Sequence, residues 1–274
     1  MKIYVITGAA SGIGNALSKA FAKDNIVFAG FRNPEHEEDL KVVSKNIIPF
    51  FIDLQKPSSI RQAAAFIKSR TDKIDVLINA AGIVAAGAVE NIETEKIMEQ
   101  FQVNTFSHLD LSQRLLERLN GGKIINISSM SSFGIFPFIS PYSASKRALD
   151  ILFNAINLET KSNVKVVSVK PGVIATPLWK KSVSQNEKSL KHDKVYEKEM
   201  NFLAQNALKN GSKGLNVNKV VDLILKIDKT TNPKASYTIG MDAKLAEIVS
   251  KLPQDCINTI VKYNLNRRLK TTNL

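Results

Sequence analysis

The sequence predicts an α/β fold, a doubly wound parallel sheet of about seven strands. Three observations carry this. Short β-branched runs alternate with longer segments of helical apolar spacing, the pattern of βαβ units. The runs are apolar on both faces, as strands of a helix-covered parallel sheet are. The first run ends in a glycine-rich turn that opens a helix.

In chain order, the run Ile3–Ile6 leads through Gly8 to Gly14 into the helical segment Asn15 to Lys23. The runs Ile26–Ala29 and Ile47–Ile52 follow, then helical Ser58 to Arg70 and the run Val76–Ile78. Thr94 to Leu119 has helical spacing throughout and precedes the run Lys123–Ile127. Ser143 to Thr160 is helical, Val164–Val169 is extended, Val217 to Lys229 is helical, and Tyr237–Ile239 supplies the seventh strand. Residues 176–214 are rich in Lys, Glu and Asn and interrupt this alternation. Ligands of such folds lie beyond the carboxyl ends of the strands, so the interruption predicts a substrate-covering lid. Residues 241–274 predict a C-terminal helical extension, and no linker, repeat or low-complexity tract divides the chain. One domain over 1–274 is expected.

A chain of 274 residues with 44% hydrophobic content can bury a full core. Its single cysteine, Cys256, forms no internal disulfide, and neither an oxidising compartment nor a metal site is expected. Met1 to Gly8 passes directly into strand and turn, so no signal peptide is expected. Apolar runs such as Ala80 to Val89 fall far short of the ~20 residues of a membrane span. A cytoplasmic protein follows as the expectation. The net charge of +13 raises nucleic-acid binding. The lysines are scattered, however: Lys188, Lys191, Lys194 and Lys198 stand beside Glu187, Asp193, Glu197 and Glu199, as on a solvated helix face. No nucleic-acid partner is expected. The C-terminal Lys262, Arg267, Arg268 and Lys270 accompany apolar Ile257, Ile260, Val261 and Leu265. That combination suits either peripheral contact with an anionic membrane or a helix packed on the domain edge, the edge being the simpler reading.

The turn Thr7-Gly8-Ala9-Ala10-Ser11-Gly12-Ile13-Gly14 is a phosphate cradle by its chemistry. Glycines allow close backbone approach, and the free N–H groups of the following helix favour an anion. Further on stand Asn79-Ala80-Ala81-Gly82 after a strand, Asn104 within a long helical segment, and Ser129 after the fifth strand. Tyr142 and Lys146 then follow at thirteen and seventeen residues beyond Ser129, with Pro171-Gly172 and Thr176 after the sixth strand. In this order and context the motifs resemble the short-chain dehydrogenase/reductase family, strictly from Lys2 to about Thr176 and more loosely to Ile239. The resemblance implies a Rossmann-type fold, a nicotinamide dinucleotide, and a homodimer or homotetramer formed through Thr94 to Leu119 and Ser143 to Thr160. It implies that Gly8, Ser11, Gly12, Ile13, Gly14, Asp53, Leu54, Asn79, Ala80, Gly82, Tyr142, Lys146, Pro171, Gly172, Val173 and Thr176 hold the cofactor, with Asp53 facing the adenine amine.

The second strand ends Ala29-Gly30-Phe31-Arg32-Asn33, with an arginine where an acid would select NAD. A guanidinium can hold the extra phosphate through two charge-assisted hydrogen bonds, so the expected cofactor is NADP(H) rather than NAD(H). Pairing of Arg32 with Glu35 or Glu37 is the competing possibility.

Tyr142 and Lys146, four apart on a helix, share one face. Lowering a phenol pKa from about 10 to neutrality needs ~4 kcal/mol, about what one ammonium ~4 Å away supplies at an effective dielectric of ~20. The family resemblance implies that Tyr142 is the general acid/base, that Ser129 holds the substrate oxygen, and that Lys146 holds the ribose. It implies that Asn104 bends its helix and positions a proton-relay water. Neighbouring Ser128, Ser131 and Ser132 are set aside because only Ser129 has the separation of thirteen from Tyr142.

Leu178, Trp179, Val183, Leu190, Tyr196, Met200, Phe202 and Leu203 in the lid, with Phe133 to Phe138, suggest an apolar pocket to which Phe136 and Trp179 contribute. A small lipophilic ketone, aldehyde or alcohol is the expected substrate. The segment from Gly240 to Leu245 with Leu252-Pro253 is similar to the retinol- and steroid-dehydrogenase branch. A 3-oxoacyl thioester reductase is the alternative enzyme, and a non-catalytic NADP(H)-sensing regulator or scaffold the alternative of another class. Retention of Ser129, Tyr142, Lys146 and Asn104 argues against the regulator. No glycine-flanked serine elbow is present, and His36, His108 and His192 have no triad context, which argues against serine hydrolysis.

Overall fold

The computed structural model describes residues 1–186 and 194–271, apart from the side chains of Arg268, Lys270 and Thr271. Glu187, Lys188, Leu190, Lys191, His192, Asp193 and the side chains of Arg268 and Lys270, named above, lie outside the described residues. Seven strands form one sheet: β1 (Ile3–Ile6), β2 (Ile26–Phe31), β3 (Ile47–Phe51), β4 (Val76–Asn79), β5 (Lys123–Ile127), β6 (Lys165–Pro171) and β7 (Ser236–Ile239). Their order is β3-β2-β1-β4-β5-β6-β7, and every pairing is parallel. This is the doubly wound Rossmann-type sheet expected from the apolar runs.

Helices α1 (Gly12–Phe21), α2 (His36–Val43), α3 (Pro57–Lys68), α4 (Thr94–Phe101), α5 (Ser107–Leu115) and α6 (Ser140–Glu159) accompany the first five strands. After β6 come α7 (Leu178–Gln185), α8 (Glu197–Lys213) and α9 (Val217–Lys229), then, after β7, α10 (Met241–Val249) and α11 (Gln254–Thr271). Strand residues alternate between two cores. Tyr4, Ile6, Val76, Ile78 and Ile125 pack with Leu17 and Phe21 of α1 and Val220 and Ile224 of α9. Val5, Leu77 and Ile124 pack with Ile60 of α3, Leu111 of α5 and Phe153 of α6. Full burial of each such side chain contributes roughly 1.5–3 kcal/mol. Local signals start the helices: Pro57 opens α3, and the Asn216 side chain accepts from Asn218 N at 2.8 Å ahead of α9.

Two elements differ from the sequence expectation. Thr94 to Leu119 is not one regular helix: a π turn, Gln102–Phe106, separates α4 from α5, and a 3-10 turn, Leu116–Leu119, follows. The apolar spacing carries across the insertion and conceals it. Helix α2 escaped the pattern because it buries only Leu40 and leaves Val42 exposed.

The chain winds outward from β1 through β2 to β3 and then crosses back to β4, so the carboxyl ends of β1 and β4 flank a crevice. Thr7 Oγ1 spans it, accepting from Ala80 N at 3.1 Å and Ala81 N at 3.3 Å. No helix among the described residues is long and apolar enough to cross a membrane.

Candidate active site

A cleft of about 1080 Å³ runs over this crevice. At one end is the glycine turn. Gly8 has φ +70°, and a Cβ there would lie 2.9 Å from the backbone of Ala81. A Cβ on Gly14 would strike the Gly8 carbonyl, so both positions require glycine. The N–H groups of Gly12, Ile13 and Gly14 have no protein acceptor among the described residues. Open amides at a helix N-terminus, with glycines that admit close approach, fit a dinucleotide pyrophosphate.

Arg32 and Asn33 line the same end at the exit of β2. Neither acid that competed for Arg32 holds it: Glu35 accepts from Asn33 Nδ2 at 2.9 Å, and Glu37 pairs with Lys41 at 2.8 Å. Asp53 and Leu54 line the cleft, Asp53 accepting from Gln55 N at 3.1 Å and lying 3.6 Å from Lys56. Ala80, Gly82, Pro171, Gly172, Val173 and Thr176 also stand in the wall. Asn79 does not. It is fully buried, and its amide donates to Asn126 Oδ1 at 2.8 Å, beneath the site rather than in it.

Ser129, Tyr142 and Lys146 meet on the floor of the cleft. Ser129 sits at the exit of β5, its Oγ accepting from Ser131 N at 3.1 Å and standing near enough to the Tyr142 phenol to lower its pKa. Ser132 does not line the cleft; Ser128 and Ser131 do, but Ser129 is the serine that acts on the phenol's pKa. The Tyr142 and Lys146 side chains descend from one face of α6. The electrostatics differ from the sequence expectation. Burial pushes the Tyr142 phenol up to about 12, with Ser129 opposing. Burial also pulls Lys146 down to about 8, with Asp150 opposing. Lys146 Nζ donates to the Ile127 carbonyl at 2.9 Å and lies 5.9 Å from the centre of the Tyr142 ring. A lone ammonium so placed does not outweigh loss of solvent around the phenol.

Asn104 occupies the middle of the π turn and does not line the cleft. Its Oδ1 accepts from Ile83 N at 2.9 Å, while Nδ2 donates to the Ile83 carbonyl at 2.9 Å and to Ser145 Oγ at 3.0 Å. Gly82 lies between Asn104 and Lys146, and a Cβ there would come within 3.3 Å of Asn104 Oδ1 and 3.5 Å of Lys146 Nζ.

At the opposite end the wall is apolar. Phe133, Ile135, Phe136 and Phe138 border it, with Leu178, Trp179 and Val183 of α7 and Phe202 and Leu203 of α8. Trp179 Nε1 donates to the Ile174 carbonyl at 2.7 Å, which fixes the indole. Met200 is instead buried, and Tyr196 packs edge-on against Phe138 and donates to Glu90 at 2.7 Å. The C-terminal apolar residues also close this end. Ile257, Ile260, Val261 and Leu265 on α11 line the cleft, so the stripe considered for a membrane faces inward. Its spacing was visible in sequence; its destination was not.

Sequence reasoning missed three polar residues here. His108 is fully buried with Nε2 3.0 Å from the Ala81 carbonyl, and burial followed by Lys146 lowers it to about 3. Lys181 lines the cleft from a segment without a motif, and Asp242 from Gly240 to Leu245, where the resemblance assigned it no role. Apolar periodicity carries no signal for any of the three.

The crevice, glycine turn and Ser-Tyr-Lys floor are those of a dinucleotide-dependent oxidoreductase, and the chain belongs to the short-chain dehydrogenase family, whose model matches residues 2–187. Among curated relatives, the chain is similar to the uncharacterized oxidoreductase YusZ of Bacillus subtilis: 29% identity, covering 96% of this chain and 98% of that protein. It is 32% identical to the NADPH-dependent 3-dehydrocapnine reductase of Ornithobacterium rhinotracheale, over 67% of this chain and 69% of that one. A solved short-chain dehydrogenase/reductase from Burkholderia phymatum, in complex with NAD, shares the fold with a TM-score of 0.78 at 17% identity. The match covers 94% of each chain.

Proposed function

We propose that this oxidoreductase is NADP(H)-dependent and transfers a hydride between nicotinamide and a lipophilic ketone, aldehyde or alcohol, with Tyr142 as general acid/base. The observation that carries the reading is the convergence of Ser129, Tyr142 and Lys146 between a glycine cradle and an apolar wall. Arg32 at the end of β2, which has no carboxylate partner among the described residues, supports the phosphorylated cofactor.

When bound, the dinucleotide supplies or accepts the hydride. This chain's residues handle the oxygen and its proton. Ser129 Oγ donates a hydrogen bond to the substrate oxygen and holds it beside the Tyr142 hydroxyl. A phenol held near 12 is protonated at neutral pH, so Tyr142 stands ready to donate its proton to a carbonyl oxygen that is gaining charge. In that state Tyr142 is the acid for carbonyl reduction, and alcohol oxidation runs through the phenolate. Lys146, near 8 and mostly cationic at pH 7, lies buried beside the phenol and stabilises the phenolate left behind. Asn104 fixes the Ile83 backbone and Ser145 around this centre.

The same reading takes residues 1–274 as one domain and an oligomer formed through Thr94 to Leu119, which carries α4 and α5, and Ser143 to Thr160 of α6. The exposed Ile151, Leu152 and Leu158 of α6 support the latter.

The test is a fluorescence titration with NADPH and NADH, followed by turnover on lipophilic ketones, aldehydes, quinones and 3-oxoacyl thioesters. NADPH is expected to bind more tightly, and Arg32→Ala to remove most of that preference. Tyr142→Phe is expected to lose at least 100-fold in turnover while still binding NADPH. Binding with no turnover in either wild type or Tyr142→Phe would make the chain a cofactor sensor. Turnover confined to acyl thioesters would move the substrate to that class.

A further inference from the structure

Ser11 stands at the N-cap of α1 with extended backbone, φ −158° and ψ 167°, yet its hydroxyl caps nothing in the first turn. An N-cap serine ordinarily accepts from one of those amides. Here Ser11 Oγ instead accepts from Lys181 Nζ, 3.4 Å away and 170 residues further along the chain. Lys181 belongs to α7 in the lid, lines the cleft and has no carboxylate partner among the described residues.

Helix α7 is braced at other points. Trp179 Nε1 holds the Ile174 carbonyl at 2.7 Å. Beyond its carboxyl end, buried Asn186 accepts from Ala86 N at 2.8 Å and donates to the Val84 carbonyl at 2.7 Å. Helix α7 therefore borders the cleft, and its ammonium lies 3.4 Å from Ser11 Oγ, at the N-cap of the helix that carries the open amides of Gly12, Ile13 and Gly14. Among the described residues, the arginines and lysines lining the cleft are Arg32, Lys146 and Lys181. Arg32 stands at the end of β2 and Lys146 is held by the Ile127 carbonyl. A pyrophosphate on the cradle carries two negative charges, and the cradle itself offers only neutral donors.

We propose that Lys181 is a phosphate ligand delivered by the lid: a bound dinucleotide's pyrophosphate takes the ammonium from Ser11, and the cofactor's charge then holds α7 closed. The inference rests on the dinucleotide reading of the site. Ser11 parks the lysine when the anion is absent, and its uncapped position keeps the amides available. Cofactor binding and lid closure become one event, coupled through a single ion pair.

The experiment measures binding of NADPH and of adenosine 2′-monophosphate to wild type, Lys181→Ala, Lys181→Arg and Arg32→Ala. Hydrogen exchange of the α7 amides is followed with and without NADPH. Adenosine 2′-monophosphate carries the phosphate assigned to Arg32 and lacks the pyrophosphate. Lys181→Ala is expected to weaken NADPH roughly tenfold, an effect that shrinks at high salt, and to leave adenosine 2′-monophosphate unchanged. NADPH is expected to slow α7 exchange in wild type and Lys181→Arg, and much less in Lys181→Ala. Because Lys181 is exposed, its removal leaves the fold intact. Equal NADPH affinity and equal α7 protection in wild type and Lys181→Ala would overturn the proposal, as would equal weakening of both ligands. Failure of wild type to bind NADPH at all would overturn the dinucleotide reading together with it.

Discussion

His108 lies fully buried beneath the cleft, its Nε2 against the Ala81 carbonyl and its Nδ1 without a partner. Burial and the nearby Lys146 hold its folded-state pKa at about 3, well below the ordinary 6.5. The folded state therefore binds fewer protons than the unfolded chain between those values. Stability from this residue is fully present above about pH 6.5 and is lost progressively as pH falls toward 3. Between pH 7.5 and 4.5 the loss is on the order of 2–3 kcal/mol. His108→Gln keeps a donor for Ala81 and removes the titration. Urea unfolding at the two pH values is expected to show that much less acid sensitivity in the variant. If the two proteins lose stability in parallel, His108 is not the acid-sensitive group. At this scale the sequence was legible where spacing along one helix fixes geometry, as for Tyr142 and Lys146. It was illegible where burial fixes chemistry: the upward shift of Tyr142, the full enclosure of Asn79 and the neutrality of His108 depend on neighbours far away in the chain.

Elements are joined around the cleft by tight contacts between turns. The Asp242 carboxylate, at the start of α10, accepts from Val173 N at 2.7 Å and Ala243 N at 2.9 Å. A Cβ on Gly172 would overlap that carboxylate, and one on Gly240 would lie 2.5 Å from it, so two glycines just beyond the ends of adjacent strands make room for one acid. Gly240 also has φ +105°, which favours glycine. Asp242→Ala is expected to cost about 1 kcal/mol, because the contact is exposed. Gly172→Ala is expected to cost more, and its cost to fall by at least about 1 kcal/mol in the Asp242→Ala background. A double-mutant cycle by chemical denaturation measures that coupling, and strict additivity would show that the two positions do not interact. The Pro171-Gly172 pair was legible as a turn. Its partner was not, since a strand-end glycine does not announce which carboxylate fills its space. The π turn around Asn104 was hidden for a related reason: one inserted residue barely disturbs apolar periodicity.

The cleft is lined by segments that lie far apart in sequence, from Phe133–Phe138 to α7, α8 and α11. Removing residues 251–274 is expected to raise KM for an apolar substrate at least tenfold while changing NADPH affinity less than threefold, because α11 contributes Ile257, Ile260, Val261 and Leu265 to the apolar end only. Steady-state kinetics beside a cofactor titration separates the two effects; an equal loss of both would mean that the extension supports the entire fold. The seven-strand parallel sheet was legible because each strand is apolar on both faces. The inward turn of α11 was not, because an amphipathic stripe reveals that it is covered without revealing by what.

The central position of β1 has a consequence for the chain during synthesis. Tyr4 pairs with Val27 on one side and Val76 on the other. At a bacterial or eukaryotic elongation rate of about 5–20 residues per second, the second partner emerges roughly 2–10 s after the first. Throughout that interval the nascent sheet presents Tyr4, Val5 and Ile6 with one unpaired apolar edge, a template for association with neighbouring chains. A chaperone that shields such an edge would have to act before β4 has been made.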